Sequence, residues 1–517
     1  MKNDISTVTI PTSEYENLKF QKAELEALVK YYEEQLRLAK HRQFGSSSEK
    51  GEVPEQLGLF DEAENAADSK LPEPELEEII YKRKKRVGKR EEDLSGLSVE
   101  VMEYDLPESE RICPDCGGAL HTMGHDTRRE LKIVPAQVKV VEHQRKVYSC
   151  RCCENHSDHV PVVKAPMPEP VIKGSLASPS AVAHIMTQKY VMALPLYRQE
   201  KDLERQGVCL SRQTMANWII RCSEDWLEPL YNRMKTQLLA HEILHADETV
   251  CQVLHEPGKK ANTNSYMWNY GTSGDARNPI ILFEYQATRS SAHPKRFLAG
   301  WKGYLHADGY SGYHNLPEGI TVIGCWVHMR RKFENIYKAM PAEARPKSQI
   351  PEVLRRIGAL FHLETLWKDK TPEERQQLRL EKSKPLAEEF FEWIAALGIL
   401  PKTALGEAIS YAQNQRRWLM NFYLDGRCEL SNNRAENSIR PFVIGRKNWL
   451  FCNSQKGAKA SAVVYSIIET AKANGLKPFE YLLFLFETVP NTSTAMLDSL
   501  LPWGQTVPDY CRMSLNH

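Results

Sequence analysis

The sequence predicts a multidomain α+β protein in which a mixed β-sheet is interrupted by a long helical segment. Short apolar runs of strand character alternate with polar turns between residues 242 and 326. Residues 341–425 consist mainly of helix formers, with apolar residues at helical spacing. Closely spaced cysteine pairs precede both regions. At 517 residues, the chain is long enough for about three or four domains.

The composition is that of an ordinary globular protein. The apolar fraction is 42% and the charged fraction is 26%. The net charge is +1, so the overall charge gives no argument for a nucleic-acid partner. No apolar run approaches the length of a membrane span, and the first twelve residues lack the pattern of a secretory signal. We therefore expect a cytoplasmic protein with no membrane partner.

Residues 1–44 are predicted to form a leucine-rich helix. Ser13 and Glu16 make a capping box, and apolar residues repeat every seven positions from Leu18 onward. This pattern predicts a short coiled coil and hence a dimer. The alternative is a single amphipathic helix that packs on its own chain.

Residues 45–98 are predicted to be a linker. Its first part is rich in serine, proline and acidic residues, which disfavours a packed core. A basic run at 82–90 follows. Such a run either contacts phosphates without regard to sequence or is simply solvated.

Residues 99–164 are predicted to be a zinc-binding ribbon. Two cysteine pairs flank strand-like sequence at 132–134 and 138–148. This spacing is typical of a tetrahedral Zn²⁺ site that closes a module too small for its own core. The predicted ligands are Cys113, Cys116, Cys150 and Cys153. Cys152 is an alternative within the second pair, His156 is a more distant one, and a cluster of reduced thiols without zinc is the remaining alternative.

A helix-turn-helix is predicted within residues 165–235. The expected helices are 178–192, 195–206 and 211–221. Gly207 makes the turn before the third helix, and Ser211 is the expected N-cap of that helix. The side chains that would face DNA are Arg212, Gln213 and Asn217. The alternative is a helical hairpin that only packs against the rest of the chain.

The tetrapeptide Leu-His-Ala-Asp occurs twice, at 244–247 and at 305–308. Each copy closes an apolar run, so Asp247 and Asp308 are expected at the ends of strands. Two carboxylates on neighbouring strands could hold Mg²⁺, which prefers hard oxygen ligands. The alternative is that both are ordinary polar residues at strand ends.

Residues 236–340 are predicted to be the first part of the catalytic core. The expected strands are 242–246, 265–271, 278–285, 303–307 and 321–326, with a helix at 294–298 before the fourth. Three antiparallel strands, a helix and a parallel strand that carries an acid are the order of a ribonuclease-H-like core. In that layout the two strands that carry the aspartates are neighbours.

The rest of the chain is predicted to comprise a helical insertion, a second part of the core and a loosely ordered tail, at 341–425, 426–490 and 491–517. A helix capped by Ser431 or Asn432 would point Glu436 at the two aspartates. The alternative for Glu436 is a surface acid near an arginine. Candidates for phosphate contacts are His328, Arg331, Arg440, Arg446 and Lys447. Roles in surface or helix packing are the alternative for these residues.

Longer strings make the chain resemble the transposases of the insertion-sequence-66 family. They are Leu-His-Ala-Asp-Glu-Thr from 244, Leu-His-Ala-Asp-Gly-Tyr-Ser-Gly-Tyr from 305, Gly-Cys-Trp-Val-His-Met-Arg-Arg-Lys-Phe from 324, Ser-Asn-Asn-Arg-Ala-Glu-Asn-Ser-Ile-Arg-Pro from 431 and Gly-Arg-Lys-Asn-Trp-Leu-Phe from 445. With the leucine-rich helix and the cysteine pairs, the resemblance covers most of the chain.

The resemblance implies the large subunit of a bacterial DNA transposase with an Asp-Asp-Glu triad. Asp247, Asp308 and Glu436 fall on the family's acidic positions and would hold two Mg²⁺ ions per active site. Water would nick the element end, and the freed 3′-hydroxyl would then attack target DNA. The implied partners are DNA, a homodimer or larger synaptic assembly, and two small accessory proteins. The implied location is the bacterial nucleoid.

Other functions can be built on the same residues. A metal-dependent nuclease or resolvase would share the core and would cut DNA without joining it. A catalytically inert zinc and helix-turn-helix regulator would not need the three acids. A phosphatase of the haloacid-dehalogenase type is excluded, because neither aspartate lies in the Asp-x-Asp sequence that it requires.

Overall fold

The computed structural model describes residues within 12–36, residues 137–149 and residues 162–513. They belong to two compact units, one drawn from 1–46 and 165–512 and the other mainly from 47–164. The predicted zinc ligands Cys113, Cys116, Cys150 and Cys153, with Cys152 and His156, lie outside the described residues.

The described part of the second unit contains a short hairpin. Strand β1 (Val147–Ser149) pairs antiparallel with β2 (Val162–Lys164). The prediction of a strand over 138–148 is wrong for its first nine residues, which are not in a strand. All nine side chains are exposed, Val140 by 95%, so burial of apolar side chains among the described residues does not favour a strand here.

The described residues between Thr12 and Leu36 are helical, as predicted. The apolar side chains of this helix are exposed, and they include Leu18, Leu25, Val29, Tyr32 and Leu36. A coiled coil would bury such a stripe. Ser13, which belongs to the predicted capping box, lies outside the described residues.

The three helices predicted before the sheet are present: α1 (Pro179–Tyr190), α2 (Leu196–Arg205) and α3 (Arg212–Cys222). Gly207 makes the turn between α2 and α3 at a φ of 80°. The Ser211 hydroxyl caps α3 by accepting the Thr214 N–H, at 3.1 Å. A π-turn at Ser223–Leu227 joins α3 to α4 (Glu228–Leu238). The apolar face of α3, which includes Trp218, lies in the same core as the sheet.

The central sheet has the strand order β5-β4-β3-β6-β7. These strands are β3 (Ile243–His255), β4 (Asn264–Thr272), β5 (Ile281–Gln286), β6 (Gly303–Ala307) and β7 (Ile320–Gly324), and helix α5 (Ala292–Phe297) precedes β6. Strands β3, β4 and β5 pair antiparallel, whereas β6 is parallel to both β3 and β7. The predicted adjacency of the two strands that carry the aspartates is confirmed.

Strand β3 is longer than predicted. The polar residues after Ala246 were expected to end it, but Asp247 pairs with Asn269 of β4 and the ladder continues to Gln252. The far end of β3 pairs with β8 (Cys452–Ser454). The strand continues because Glu248 is buried in an ion pair with Arg289 and so does not need solvent at this position. By contrast, Asp308 directly follows β6, as predicted.

The segment 341–425 is helical and contains no strand, as predicted. Its helices are α7 (Ile350–Leu366), α8 (Pro372–Leu378), α9 (Lys384–Ala396) and α10 (Ala404–Met420), which follow α6 (Trp326–Ala339). Of these, α6, α7, α9 and α10 pack around Trp326, Phe333 and Phe390, in a second core that also contains Ile243 and Ile323 of the sheet.

The last helices are α11 (Asn433–Trp449), α12 (Gln455–Ala473) and α13 (Pro478–Thr488). The expectation of a loosely ordered tail is wrong for residues 491–513. Leu501 and Cys511 are fully buried, and the Tyr481 hydroxyl donates to the Leu500 carbonyl at 2.8 Å. Burial of these apolar side chains fixes the short turns of the tail against α13. Within the described ranges, no helix is long and apolar enough to cross a bilayer.

Candidate active site

The two aspartates lie on adjoining parallel strands. Leu244 pairs with Leu305 and His245 pairs with His306, so the same register brings Asp247 beside Asp308. Asp247 Oδ1 accepts the Glu248 N–H at 2.9 Å, and Asp308 Oδ1 accepts the Tyr310 N–H at 2.9 Å. One oxygen of each carboxylate is therefore held by the backbone.

The histidine of each Leu-His-Ala-Asp copy lies two residues before its aspartate, and hence on the same face of its strand. The His245 and His306 rings stack, with centroids 4.3 Å apart. Both are buried, and burial lowers the pKa of each imidazole. His306 Nε2 accepts the Glu429 N–H at 3.2 Å. His245 and His306 therefore support the segment that leads to Glu436 through their stacking and the bond to Glu429. This role was not predicted from the sequence.

Asn432 joins this segment to the first aspartate strand. Its Nδ2 donates to the Ala246 carbonyl at 2.8 Å, and its Oδ1 lies 3.0 Å from His245 Nδ1. Asn432 is the N-cap residue of α11, which was one of the two predicted alternatives. Its side chain makes no capping hydrogen bond, because it is bonded to β3. It fixes the start of α11 over the residue before Asp247.

Glu436 lies in the first turn of α11 and is partly buried. Its Oε2 accepts a hydrogen bond from Arg331 Nη2 at 3.2 Å, and its Oε1 lies 3.6 Å from His328 Nδ1. Two of the predicted phosphate-binding residues, both on α6, are therefore at the site. Their present partner is Glu436.

The carboxylates repel one another. Burial raises the pKa of Asp247 well above its usual range, and the charges of Glu248, Asp308 and Glu436 raise it further. The crowded negative charge and the hard oxygen donors fit a divalent cation such as Mg²⁺. In the described part of the chain, however, the potential ligands whose donor atoms all lie within 4.8 Å of one another are Cys325, His328 and Glu436. Glu436 thus faces α6 as well as the aspartates.

Glu248 was also missed. It is the fourth carboxylate here, and it follows Asp247 in the strand, so its side chain points to the other face of the sheet. Arg289 Nη2 lies 2.6 Å from Glu248 Oε1, and the Tyr313 hydroxyl donates to Oε2. Burial raises the pKa of Glu248, and the charge of Asp308 contributes. The signal in the sequence that could have indicated Glu248 is its position directly after Asp247.

The helical insertion reaches the second aspartate. A Cβ at position 309 would collide with the Tyr411 hydroxyl of α10, so glycine permits this close approach. Burial raises the pKa of Tyr411 to about 12, and the charge of Asp308 contributes. The residue after Asp308 is therefore enclosed by the insertion.

The other predicted DNA-binding residues lie elsewhere. Arg446 Nη1 donates to Thr249 Oγ1 at 3.2 Å, and burial lowers the pKa of its guanidinium. On the same helix, Arg440 is partly buried and Lys447 is exposed. The predicted DNA-facing side chains of α3 are all exposed: Arg212, Gln213 and Asn217. The contacts described above for Asp247, Asp308, Glu248 and Glu436 come from other residues.

Comparison with known proteins matches four segments of the chain to models of one protein family. The family model described as "Transposase IS66 family" matches residues 174–460. Three further models match: "zinc-finger binding domain of transposase IS66" at 110–154, "IS66 C-terminal element" at 466–503 and "Transposase C of IS166 homeodomain" at 31–101.

Two relatives from Sinorhizobium fredii are similar over most of their length. The uncharacterized protein y4qI is 32% identical over 422 residues, which are 78% of this chain and 75% of the relative. The uncharacterized protein y4jD is 31% identical over 432 residues, which are 80% of this chain and 82% of the relative.

Together, the mixed α+β fold with its acidic site and the matched domains define a DNA-processing protein of the transposase class. The chain belongs to the IS66 transposase family. The match at 110–154 identifies a zinc-binding domain that contains all four predicted cysteine ligands but not His156.

Proposed function

We propose that this chain is the transposase of a bacterial insertion sequence, with Asp247, Asp308 and Glu436 as its Asp-Asp-Glu active site. The observation that carries the proposal is the parallel, in-register pairing of the two Leu-His-Ala-Asp strands beneath the helix of Glu436. The strand order supports a ribonuclease-H-like core. Strand β4 lies antiparallel on one side of β3, and the parallel strands β6 and β7 lie on the other side. The reaction would be cleavage at the element ends followed by strand transfer.

The three acids would hold two Mg²⁺ ions. Carboxylates are suited to this because they neutralise the ions without attacking the phosphate themselves. The chemistry that such ions would supply when bound is activation of a water or a DNA 3′-hydroxyl and stabilisation of the leaving oxygen of an in-line displacement. For Glu436 to join the aspartates, its carboxylate must leave Arg331. A DNA phosphate that binds the Arg331 guanidinium would displace the Glu436 carboxylate from it.

The surrounding residues would position DNA and the acids. Arg331 and His328 would bind phosphate oxygens next to the carboxylates, and Arg440, Arg446 and Lys447 would extend this contact along α11. The exposed side chains of α3 (Arg212, Gln213 and Asn217) would read the element end. Asn432 and the stacked histidines would keep the strands and α11 in register. In the separate zinc-binding domain, Cys113, Cys116, Cys150 and Cys153 would hold a structural Zn²⁺ ion.

The proposed assembly is a homodimer or a larger complex that pairs two element ends. The exposed apolar stripe of the N-terminal helix supports it, because a second copy would cover Leu18, Leu25 and Tyr32. Two small accessory proteins of the element are further proposed partners. Light scattering of wild type and of Leu25→Glu tests the dimer. A monomer in both would contradict it.

A strand-transfer assay tests the enzymatic proposal. Purified protein, Mg²⁺ and a labelled duplex that carries the native element ends are combined for wild type, Asp308→Asn and the control Glu429→Gln. Joined products from wild type and the control alone are expected. Cleavage without joining would favour the nuclease interpretation. Tight DNA binding with no metal-dependent product would favour the inert regulator.

A further inference from the structure

A second group of ligands lies where α6 and α11 begin. Cys325 is the N-cap residue of α6, and His328 lies one turn further on, so both point to one side of the helix. Glu436 lies in the first turn of α11. One donor atom from each of the three residues lies within 4.8 Å of the other two. The three side chains come from two elements that meet beside the aspartates.

Two of these donor atoms have no hydrogen-bond partner. His328 Nδ1 and Glu436 Oε1 are buried and unpaired in the described structure, although they lie 3.6 Å apart. This distance exceeds that of a hydrogen bond, which is about 2.7–3.2 Å. Buried unpaired polar atoms are costly and call for a missing partner. A cation between the two atoms would satisfy both.

The donor set selects the kind of cation. Sulfur, imidazole nitrogen and a carboxylate are ligands of Zn²⁺, whereas Mg²⁺ prefers oxygen alone. A bound Zn²⁺ deprotonates a coordinating thiol. The Asn432 N–H, which donates to Cys325 Sγ at 3.2 Å, orients the sulfur as the outer contacts of metal sites do. Three protein ligands would leave the fourth position of a tetrahedral ion open.

We propose that Cys325, His328 and Glu436 form a Zn²⁺ site that is separate from the zinc-binding domain and competes with the catalytic ions for Glu436. The competitive part rests on the proposed function, since it requires Glu436 to serve the aspartates during catalysis. Zn²⁺ at this site holds Glu436 Oε1 toward α6. The site therefore makes Zn²⁺ an inhibitor of Mg²⁺-dependent strand transfer.

Zinc content tests the site directly. The full-length protein is dialysed against a weak chelator, and its metal is measured by mass spectrometry. Wild type is expected to keep about two Zn²⁺ ions per chain and Cys325→Ala about one, because the zinc-binding domain keeps its own ion. The matched control is Cys428→Ala, another buried cysteine, which should keep both. His328→Asn should also lose one ion and serves if Cys325→Ala does not fold.

Activity tests the competition. Wild type loaded with two Zn²⁺ ions per chain should carry out Mg²⁺-dependent strand transfer about tenfold or more slowly than wild type that holds only the ion of the zinc-binding domain. Cys325→Ala should show the same rate with and without added Zn²⁺. Asp308→Asn should be inactive and still bind the second Zn²⁺, so failure of the transposase proposal and failure of the zinc site are distinguishable. Equal zinc content, or equal inhibition, in wild type and Cys325→Ala would overturn the inference.

Discussion

The two Leu-His-Ala-Asp copies have identical sequences and lie side by side, but their surroundings differ. Asp247 lies inside a long strand, where it pairs with Asn269 of β4, and Asn432 ties that strand to α11. Asp308 follows the last residue of a short strand, and the insertion helix α10 closes over the glycine after it. The first copy is held by the sheet and the second by the insertion. The same tetrapeptide therefore places one aspartate inside the sheet and the other against the helical segment 341–425.

Replacement of either aspartate should have the largest effect. Asp247→Asn and Asp308→Asn should each reduce strand transfer at least about 1,000-fold, because we propose that both carboxylates hold the same ions. We expect the two variants to lose the same fraction of the strand-transfer rate, measured with Mg²⁺ in excess, although the surroundings of the two aspartates differ. A variant that keeps more than about a tenth of the wild-type rate would show that its copy is not a ligand.

Asn432→Ala should break the first copy selectively. It removes the bonds to Ala246 and His245 and leaves buried polar atoms unpaired, which costs about 2–4 kcal/mol. We expect a lower denaturant midpoint, together with a rate that falls about tenfold or more. The control is Asn433→Ala at the exposed neighbouring position, where the change should stay within about 0.5 kcal/mol. Equal unfolding curves for the two variants would refute the role of Asn432.

Gly309→Ala should disturb the second copy selectively. The added methyl group collides with the Tyr411 hydroxyl and should cost about 1–3 kcal/mol in unfolding free energy. Tyr411→Phe removes that hydroxyl, so the double variant should recover part of the loss in a double-mutant cycle. Strict additivity of the two changes would contradict the proposed contact.

A smaller effect should appear in the stability of the metal-free protein. Because folding raises the pKa of Asp247, its carboxyl destabilises the fold increasingly as the pH rises above the pKa of the unfolded chain, and fully above the folded pKa. Asp247→Asn should therefore raise the melting temperature at neutral pH by roughly 2 °C in chelator. The difference should vanish near pH 3, where the carboxyl is protonated in folded and unfolded chains alike. A fall in melting temperature at neutral pH would contradict the assignment.

The elements themselves were largely predictable from local sequence. Capping residues such as Ser211, together with the periodicity of apolar residues, predicted where the helices lie. The run of strands gave a sheet order in which the two copies adjoin. These features depend on residues close together in the chain, which is why the pattern alone predicts them.

The supporting contacts were not predictable in this way. Glu248 extends β3 because Arg289 and Tyr313 reach it from 41 and 65 residues away. Asn432 looked like a cap, but it bonds to a strand 186 residues earlier. The tail was expected to be loose, yet its leucines complete the core beside α13. Each of these outcomes is decided by tertiary partners that the local sequence does not identify.

Electron paramagnetic resonance of bound Mn²⁺ tests most directly whether Asp247, Asp308 and Glu436 share the catalytic ions. Mn²⁺ replaces Mg²⁺ on oxygen ligands, and two ions a few ångströms apart couple magnetically. Wild type with a DNA element end should show a coupled pair, and Asp247→Asn, Asp308→Asn and Glu436→Gln should each lose the coupling, whereas Glu429→Gln should keep it. A coupled pair that survives in any of the three variants, or no bound pair in wild type, would contradict the assignment of these residues as a shared metal site.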